Sequence, residues 1–227
     1  DFRESMNALL SQKLLGYDND YQLPTVIWQD NSAAQTWTDL ETFGGQTESQ
    51  FQLGQDQAQI QNHYDEKTFE KYCKSYPTFH QDLIEDKANQ VTLDFELDQD
   101  IHLNGRAILQ LQVKSSVSKG LLSAQLLDFG TAKRLSPIPG MVSRTSLDNG
   151  RYYAQENLTE LPFTETPYRL ITKGFINLQN RTDLLTVEAV TPNHWMTLRW
   201  ELQPTIYKLK KGSRRFCFPF FLLQFFE

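Results

Sequence analysis

At 227 residues the chain is long enough for one large β domain, or for a small domain plus an appendage. Hydrophobic residues make up 39% and charged residues 22%, a globular balance that excludes a disordered or low-complexity chain. The formal charge of −6, from 28 acidic against 22 basic side chains, offers no basic face for nucleic acid or for an anionic membrane.

Residues 1–15 form the best predicted helix. Phe2, Met6, Leu9, Leu10 and Leu14 fall on one stripe, with Arg3, Glu4, Gln12 and Lys13 elsewhere, and Gly16 follows as a C-cap. The run LPTVIWQDNS (23–32) reads as a strand closing on a turn. Residues 46–61, rich in Gln, Gly, Asp and Thr, read as exposed loop with one short strand. Residues 65–74 and 79–89 read as short amphipathic helices.

From Val91 the pattern becomes β. Val91, Leu93, Phe95 and Leu97 alternate with polar residues. Asn104-Gly105 is a hairpin signal between residues 101–103 and 106–114. Residues 121–129 are apolar on both faces, as in a central strand. Residues 134–149, holding Pro137, Pro139 and Gly140, read as a long surface loop. Residues 169–178 make another strand, with Gly174 at a bulge or a close crossing. Met196, Leu198, Trp200 and Leu202 alternate with Thr197, Arg199 and Glu201, the period of a strand with one wet face. Pro204 cannot donate to a ladder and marks a break before residues 205–209. Seven or eight strands between Pro24 and Leu209 point to a mainly β, two-sheet jelly-roll sandwich. Leu93, Phe95, Leu109, Leu111, Leu126, Leu198 and Trp200 are the expected core.

The search for chemistry returns no catalytic residue, no metal site and no cofactor. No Gly-x-Ser-x-Gly elbow occurs, and Ser123 lies inside an apolar strand as a packed small residue. His63 reads as a loop residue, and His194 as part of the turn that aims Trp195 at the core. His80 and His102 have no partner at any metal or triad spacing. The cluster Lys208, Lys210, Lys211, Arg214 and Arg215 reads as a solvated turn. Cys73 and Cys217 are too few for a disulfide scaffold and read as free thiols. Trp28, Trp195 and Trp200 are expected in the core; Trp37 alone stays open as an exposed aromatic for sugar binding. The tail after Gly212 carries six of the chain's 15 Phe residues with no alternation and Pro219 inside. It is expected to add no packed strand and to reflect a frameshift or an artificial end of the reading frame, with a membrane or partner-binding tail as the alternative.

Several long phrases carry a resemblance: LPTVIWQDNS (23–32), NHYDEKTFEKY (62–72), KGLLSAQLLDFG (119–130), TPYRLITKGFINLQNR (166–181) and ELQPTIYKLKKG (201–212). In order and spacing they resemble the C-terminal domain of the bacterial Xaa-Pro dipeptidyl-peptidase family, serine enzymes related to the α/β-hydrolases. The resemblance implies a galactose-binding-like jelly roll at 23–212, with a helical or loop insertion near 62–90. It also implies that residues 1–22 are the end of an α/β-hydrolase catalytic domain, and that 213–227 is an aberrant tail. By the same resemblance the serine, aspartate and histidine of the triad precede Asp1, and substrate-binding residues stay unknown. The implied parent is cytoplasmic and homodimeric and removes Xaa-Pro dipeptides from proline-containing peptides. The partner of this part is then the N-terminal hydrolase domain, with no nucleic acid and no membrane. Two other readings stand beside it: a free-standing carbohydrate-binding sandwich, and a purely structural or dimerisation module.

Overall fold

The computed structural model describes residues 2–20, 22, 24–33, 37–45, 48–50, 59, 91–93, 97–135, 141–148, 152–158, 163–211, 216–217 and 220–223. The two helices expected at 65–74 and 79–89, and Phe95, lie outside the described residues. The described part is mainly β, with one helix longer than a turn.

Helix α1 spans Phe2–Leu15 and ends at Gly16, whose φ of 69° is open to glycine at little cost. The Tyr17 amide donates to the Ser11 carbonyl at 3.0 Å, and the Asn19 amide group reaches back to the Ala8 carbonyl at 3.1 Å. The expected apolar stripe is present in sequence, yet Leu10, Leu14 and Leu15 stand exposed.

Strands β1 (Val26–Gln29) and β2 (Trp37–Leu40) form an antiparallel pair. Strands β3 (Ile101–Gly105) and β4 (Ile108–Lys114) do not make the hairpin expected at Asn104-Gly105. Instead β3 pairs with β10 (Thr205–Leu209), and β4 pairs with β9 (Trp195–Glu201). Ile101 faces Leu209 at one end and Lys114 faces Trp195 at the other. The chain thus runs straight through Gly105 as one side of a long antiparallel ribbon, interrupted midway on both sides. Pro204 supplies the interruption on one side because it has no N–H. On the other, Gly105 sits at φ 130°, while Asn104 spends its hydrogen bonds on a neighbouring loop. Its side-chain oxygen accepts from Gly44 N–H at 3.1 Å, and its carbonyl accepts from Gly45 N–H at 2.8 Å.

At the break Leu202 still bonds across the ribbon, while Gln203 turns to another strand. Leu202 N–H donates to Ala107, and Gln203 N–H donates to Lys173 of β8 (Phe163–Asn177), both at 2.8 Å. Gly174 is where β8 crosses the end of β9. A Cβ there would lie 2.8 Å from Leu202 Cδ2 and 3.0 Å from the Glu201 carbonyl oxygen. Gly174 is a close crossing; the bulges fall elsewhere. Strand β5 (Leu121–Leu135) pairs with β8 along its whole length, with register shifts at Leu126/Leu127 and Phe129/Ala132.

Two expectations fail on the segments flanking β5. Residues 134–149 are not one long loop: β5 continues to Leu135, and β6 (Met141–Asp148) pairs with β7 (Tyr152–Leu158). Pro137, Pro139 and Gly140 sit between the strands in sequence, outside the described residues. The tail expected to add no strand supplies β11 (Phe216–Cys217) and β12 (Phe220–Leu223), both antiparallel to β5. Since β8 and β12 both pair with residues 121–124, they occupy opposite edges of β5. An apolar run without alternation suits a strand beside a central neighbour, and Pro219 falls between the two pieces. With β6 and β7, and without β11 and β12, ten strands lie between Pro24 and Leu209 among the described residues, more than the seven or eight expected.

The core joins the ribbon to the β5 sheet. Leu122, Ala124 and Leu126 of β5 and Ile176 of β8 meet Leu109 of β4 and Leu198 and Trp200 of β9. Met196 and Leu111 pack partly buried against them, while Thr197, Arg199 and Glu201 face water, as the alternation requires. Val91 and Leu93 are half-buried against the same core outside any described strand.

Candidate functional site

Among the described residues no three of His, Cys, Asp and Glu come together as metal ligands. Ser123 Oγ lies 3.4 Å from the Gly174 carbonyl, between β5 and β8, with no hydrogen bond to a histidine among the described residues. His194 Nδ1 lies 3.0 Å from its neighbouring Pro192 carbonyl in a turn where Asn193 has φ 63°. That turn does not aim Trp195 into the core. Trp195 is 58% exposed, with the Lys114 ammonium 5.3 Å from its ring centroid. At the first residue of β9 its side chain falls on the Thr197–Arg199 face, opposite Met196 and Leu198. His63 and His80 lie outside the described residues, as does the Trp37 side chain.

Two polar constellations hold the surfaces of the domain. The first joins β1 to β10. Trp28 is buried, with His102 stacked on it at 5.0 Å and 29° and the Lys208 ammonium 5.0 Å from its centroid. Lys208 Nζ also pairs with buried Asp30 at 2.5 Å. The Asp30 carboxylate further accepts from the Ser32 amide and hydroxyl. Burial pushes this carboxyl up, but the Lys208 and Ser32 donors outweigh it and hold the group below the usual aspartate value. The next residue, Asn31, gives its amide to the Lys208 carbonyl at 2.9 Å and takes the Lys208 N–H at 2.7 Å. It thereby satisfies both main-chain groups of one β10 residue, which a strand edge would otherwise leave to water. Two members of the basic cluster are therefore tied down: Lys208 here, and Lys210, which reaches Asp100 at 3.1 Å.

The second constellation is nearly dry. Arg134 grips Asp128 through two hydrogen bonds of 2.8 and 3.1 Å, with the side chains 7% and 13% exposed. Its remaining donors reach the Thr166 carbonyl and hydroxyl on β8, and the Tyr207 hydroxyl of β10 donates to Asp128 at 3.1 Å. Burial, then the Asp128 charge, raise the Tyr207 hydroxyl far above its ordinary value, so it stays a neutral donor. Six residues of straight strand span about 20 Å, beyond the reach of these two side chains. The bulge after Phe129, with Gly130 at φ 108°, bends β5 enough to bring them together. Sequence reading missed this cluster because Asp128 and Arg134 look like ordinary solvated charges. The only hint was Gly130 inside a strand.

Both constellations fix strands to one another; the one hydroxyl beside a carboxylate in the first, Ser32 on Asp30, belongs to a carboxylate already paired with Lys208. What they equip the domain to do is hold a rigid shape.

The chain is similar over residues 19–214 to a family described as the X-Pro dipeptidyl-peptidase C-terminal non-catalytic domain. A Xaa-Pro dipeptidyl-peptidase of Streptococcus gordonii is 60% identical over 215 residues, which cover 94% of this chain and 28% of that protein. One from Streptococcus thermophilus (strain CNRZ 1066) is 60% identical over 214 residues, with the same shares. The chain thus spans about 28% of the length of the curated relatives it matches. Among solved structures, an aminopeptidase from the marine sediment archaeon Thaumarchaeota archaeon aligns with a TM-score of 0.57 and 12% identity. That alignment covers 98% of this chain and 37% of that one, a likeness of fold alone.

Proposed function

The chain belongs to the X-Pro dipeptidyl-peptidase C-terminal non-catalytic domain family, and on that footing we propose that it is the accessory β domain of a serine exopeptidase. That enzyme releases Xaa-Pro dipeptides from the N-termini of proline-containing peptides. The chain contributes support for the hydrolase domain and no catalytic group of its own. The observation that carries this reading is the 60% identity maintained over 94% of the chain to relatives named for that activity.

In finer detail, we read residues 23–212 as a galactose-binding-like jelly roll with its insertion near 62–90. The division is supported by the family match, which starts at residue 19 and so leaves α1 outside it. Residues 1–22 are then the end of the hydrolase domain, which also accounts for a helix whose leucines stand in the open. Residues 213–227 follow the jelly roll as an aberrant Phe-rich tail, two segments of which pair with β5, and the parent is a cytoplasmic homodimer. No helix among the described residues is long and apolar enough to cross a membrane. The sugar-binding alternative gains nothing from Trp28, whose ring is already engaged by His102 and Lys208.

The test is a chimera: the Streptococcus gordonii enzyme with its matched part replaced by this chain. Hydrolysis of a Gly-Pro chromogenic substrate near the parental rate is the expected result. A folded chimera without that activity would sink the reading.

A further inference from the structure

The loop that follows the 3₁₀ turn Leu178–Asn180 turns its apolar side chains outward. Leu184 is 88% exposed, Leu185 93% and Val187 71%, while Val190 just beyond them is buried in the core. The backbone that carries these residues is firmly held. Asn180 Nδ2 donates across the loop to the Leu184 and Thr186 carbonyls at 3.4 and 3.1 Å. Asp183 Oδ1 accepts from the Leu185 amide at 2.8 Å and the Thr186 hydroxyl at 3.1 Å. At the base, Arg181 pairs with Glu188 and donates to the Leu178 carbonyl at 3.0 Å. The Glu188 amide there donates to the Gln179 carbonyl at 2.7 Å. The loop is therefore closed at its base and folded around one carboxylate, with two adjacent leucines at its tip. Such a preformed apolar tip loses little conformational freedom when something covers it.

We infer that the loop 181–189 is an apolar plug that docks this domain onto the hydrolase portion of its own enzyme, an inference that rests on the function proposed above. Size, length and charge select that occupant. Two leucines and a valine make a patch far below the roughly 1,200–2,000 Å² that separate molecules bury in a stable interface. A second copy is not held by so little. A segment of the same polypeptide is, because tethering supplies an effective concentration of about a millimolar. The relatives leave 72% of their length (100 − 28) outside the matched part, so a large tethered partner is there. Arg181 and Glu188 neutralise each other as an ion pair, which leaves Asp183 as the loop's uncompensated charge, so the tip offers an anionic lipid surface no attraction.

The same chimera carries the test, with Leu185→p-benzoylphenylalanine as a photoreactive probe. Irradiation is expected to join position 185 to a peptide of the hydrolase portion within one polypeptide, identified by mass spectrometry. A crosslink between two chains, running at twice the mass on a denaturing gel, assigns the tip to a second copy and overturns the inference. No crosslink at all leaves the tip in water and overturns it equally. The double change Leu184→Ser and Leu185→Ser, at sites too exposed to disturb the core, should raise the rate at which trypsin releases the domain about tenfold. An unchanged rate counts against docking. Activity of the unlabelled chimera reports separately on the exopeptidase reading: an inactive chimera with the intramolecular crosslink sinks that reading and leaves the plug standing.

Discussion

Trp200 shows how one side chain reports on the sheet around it. It is 7% exposed, and its indole Nε1 has no hydrogen-bond partner among the described residues. Trp200→Ala should cost about 3–5 kcal/mol, the range for deleting a large buried aromatic. Trp200→Phe keeps most of the apolar contact and removes an unsatisfied donor, so its cost should be less than half as large. Urea unfolding of both variants decides this, and a Phe variant as weak as the Ala one would mean that the indole nitrogen is partnered. Gly174→Ala should cost about 1–3 kcal/mol, because the new methyl meets the Glu201 carbonyl and the Leu202 Cα, main-chain atoms that cannot swing aside. Asp30 supplies a pH dependence. Its carboxyl is held below 3.8 in the folded chain, so the contribution is whole above that value and is lost as pH falls through the depressed one. Asp30→Asn should therefore be less stable than the parent at neutral pH, with the difference shrinking in acid. A difference that grew on acidification would refute the assignment.

At the scale of elements, the kink in β5 and the ion pair it creates should stand or fall together. Arg134→Met leaves the Asp128 carboxylate buried with the Tyr207 hydroxyl as its one remaining side-chain hydrogen bond among the described residues, and should cost about 3–5 kcal/mol. Adding Asp128→Leu removes the uncompensated charge, so the double variant should be more stable than Arg134→Met alone. Thermal unfolding of the two variants tests it; a double variant weaker than the single would mean that Asp128 has other essential partners. The strands themselves were unevenly legible. β9 and β10 could be read residue by residue, since alternation from Met196 to Leu202 and the break at Pro204 are properties of the local chain. The pairing of β3 with β10 was not legible. Asn104-Gly105 has hairpin chemistry, and it was overruled by Gly44 and Gly45, which lie some 60 residues earlier.

For the molecule as a whole, the purified 227-residue chain should hydrolyse no Gly-Pro chromogenic substrate. Ser123 lies against the Gly174 carbonyl with no base bonded to it among the described residues, and a site without an oriented base loses nearly all of its rate. Turnover by the chain that disappeared on Ser123→Ala would overturn this. The candidate docking loop was invisible from sequence. Leu184 and Leu185 look like any pair of core residues, and only the hydrogen bonds from Asn180 and Asp183 turn them outward.

What the residues alone determined was everything that depends on near neighbours: the helix of α1 with its glycine stop, the alternation of β9, the two-sided apolarity of β5, and the absence of an elbow serine. Membership of a known family was equally legible, because long phrases survive in order. Only the tertiary structure decided which edges pair, that the Phe-rich tail supplies strands to β5, that Trp195 faces water, and that Asp128 and Arg134 meet. Each of these depends on a partner distant in sequence. A strand's period says which side chains share a face, but its main-chain donors and acceptors are the same at every residue. They take whichever edge the folded chain presents.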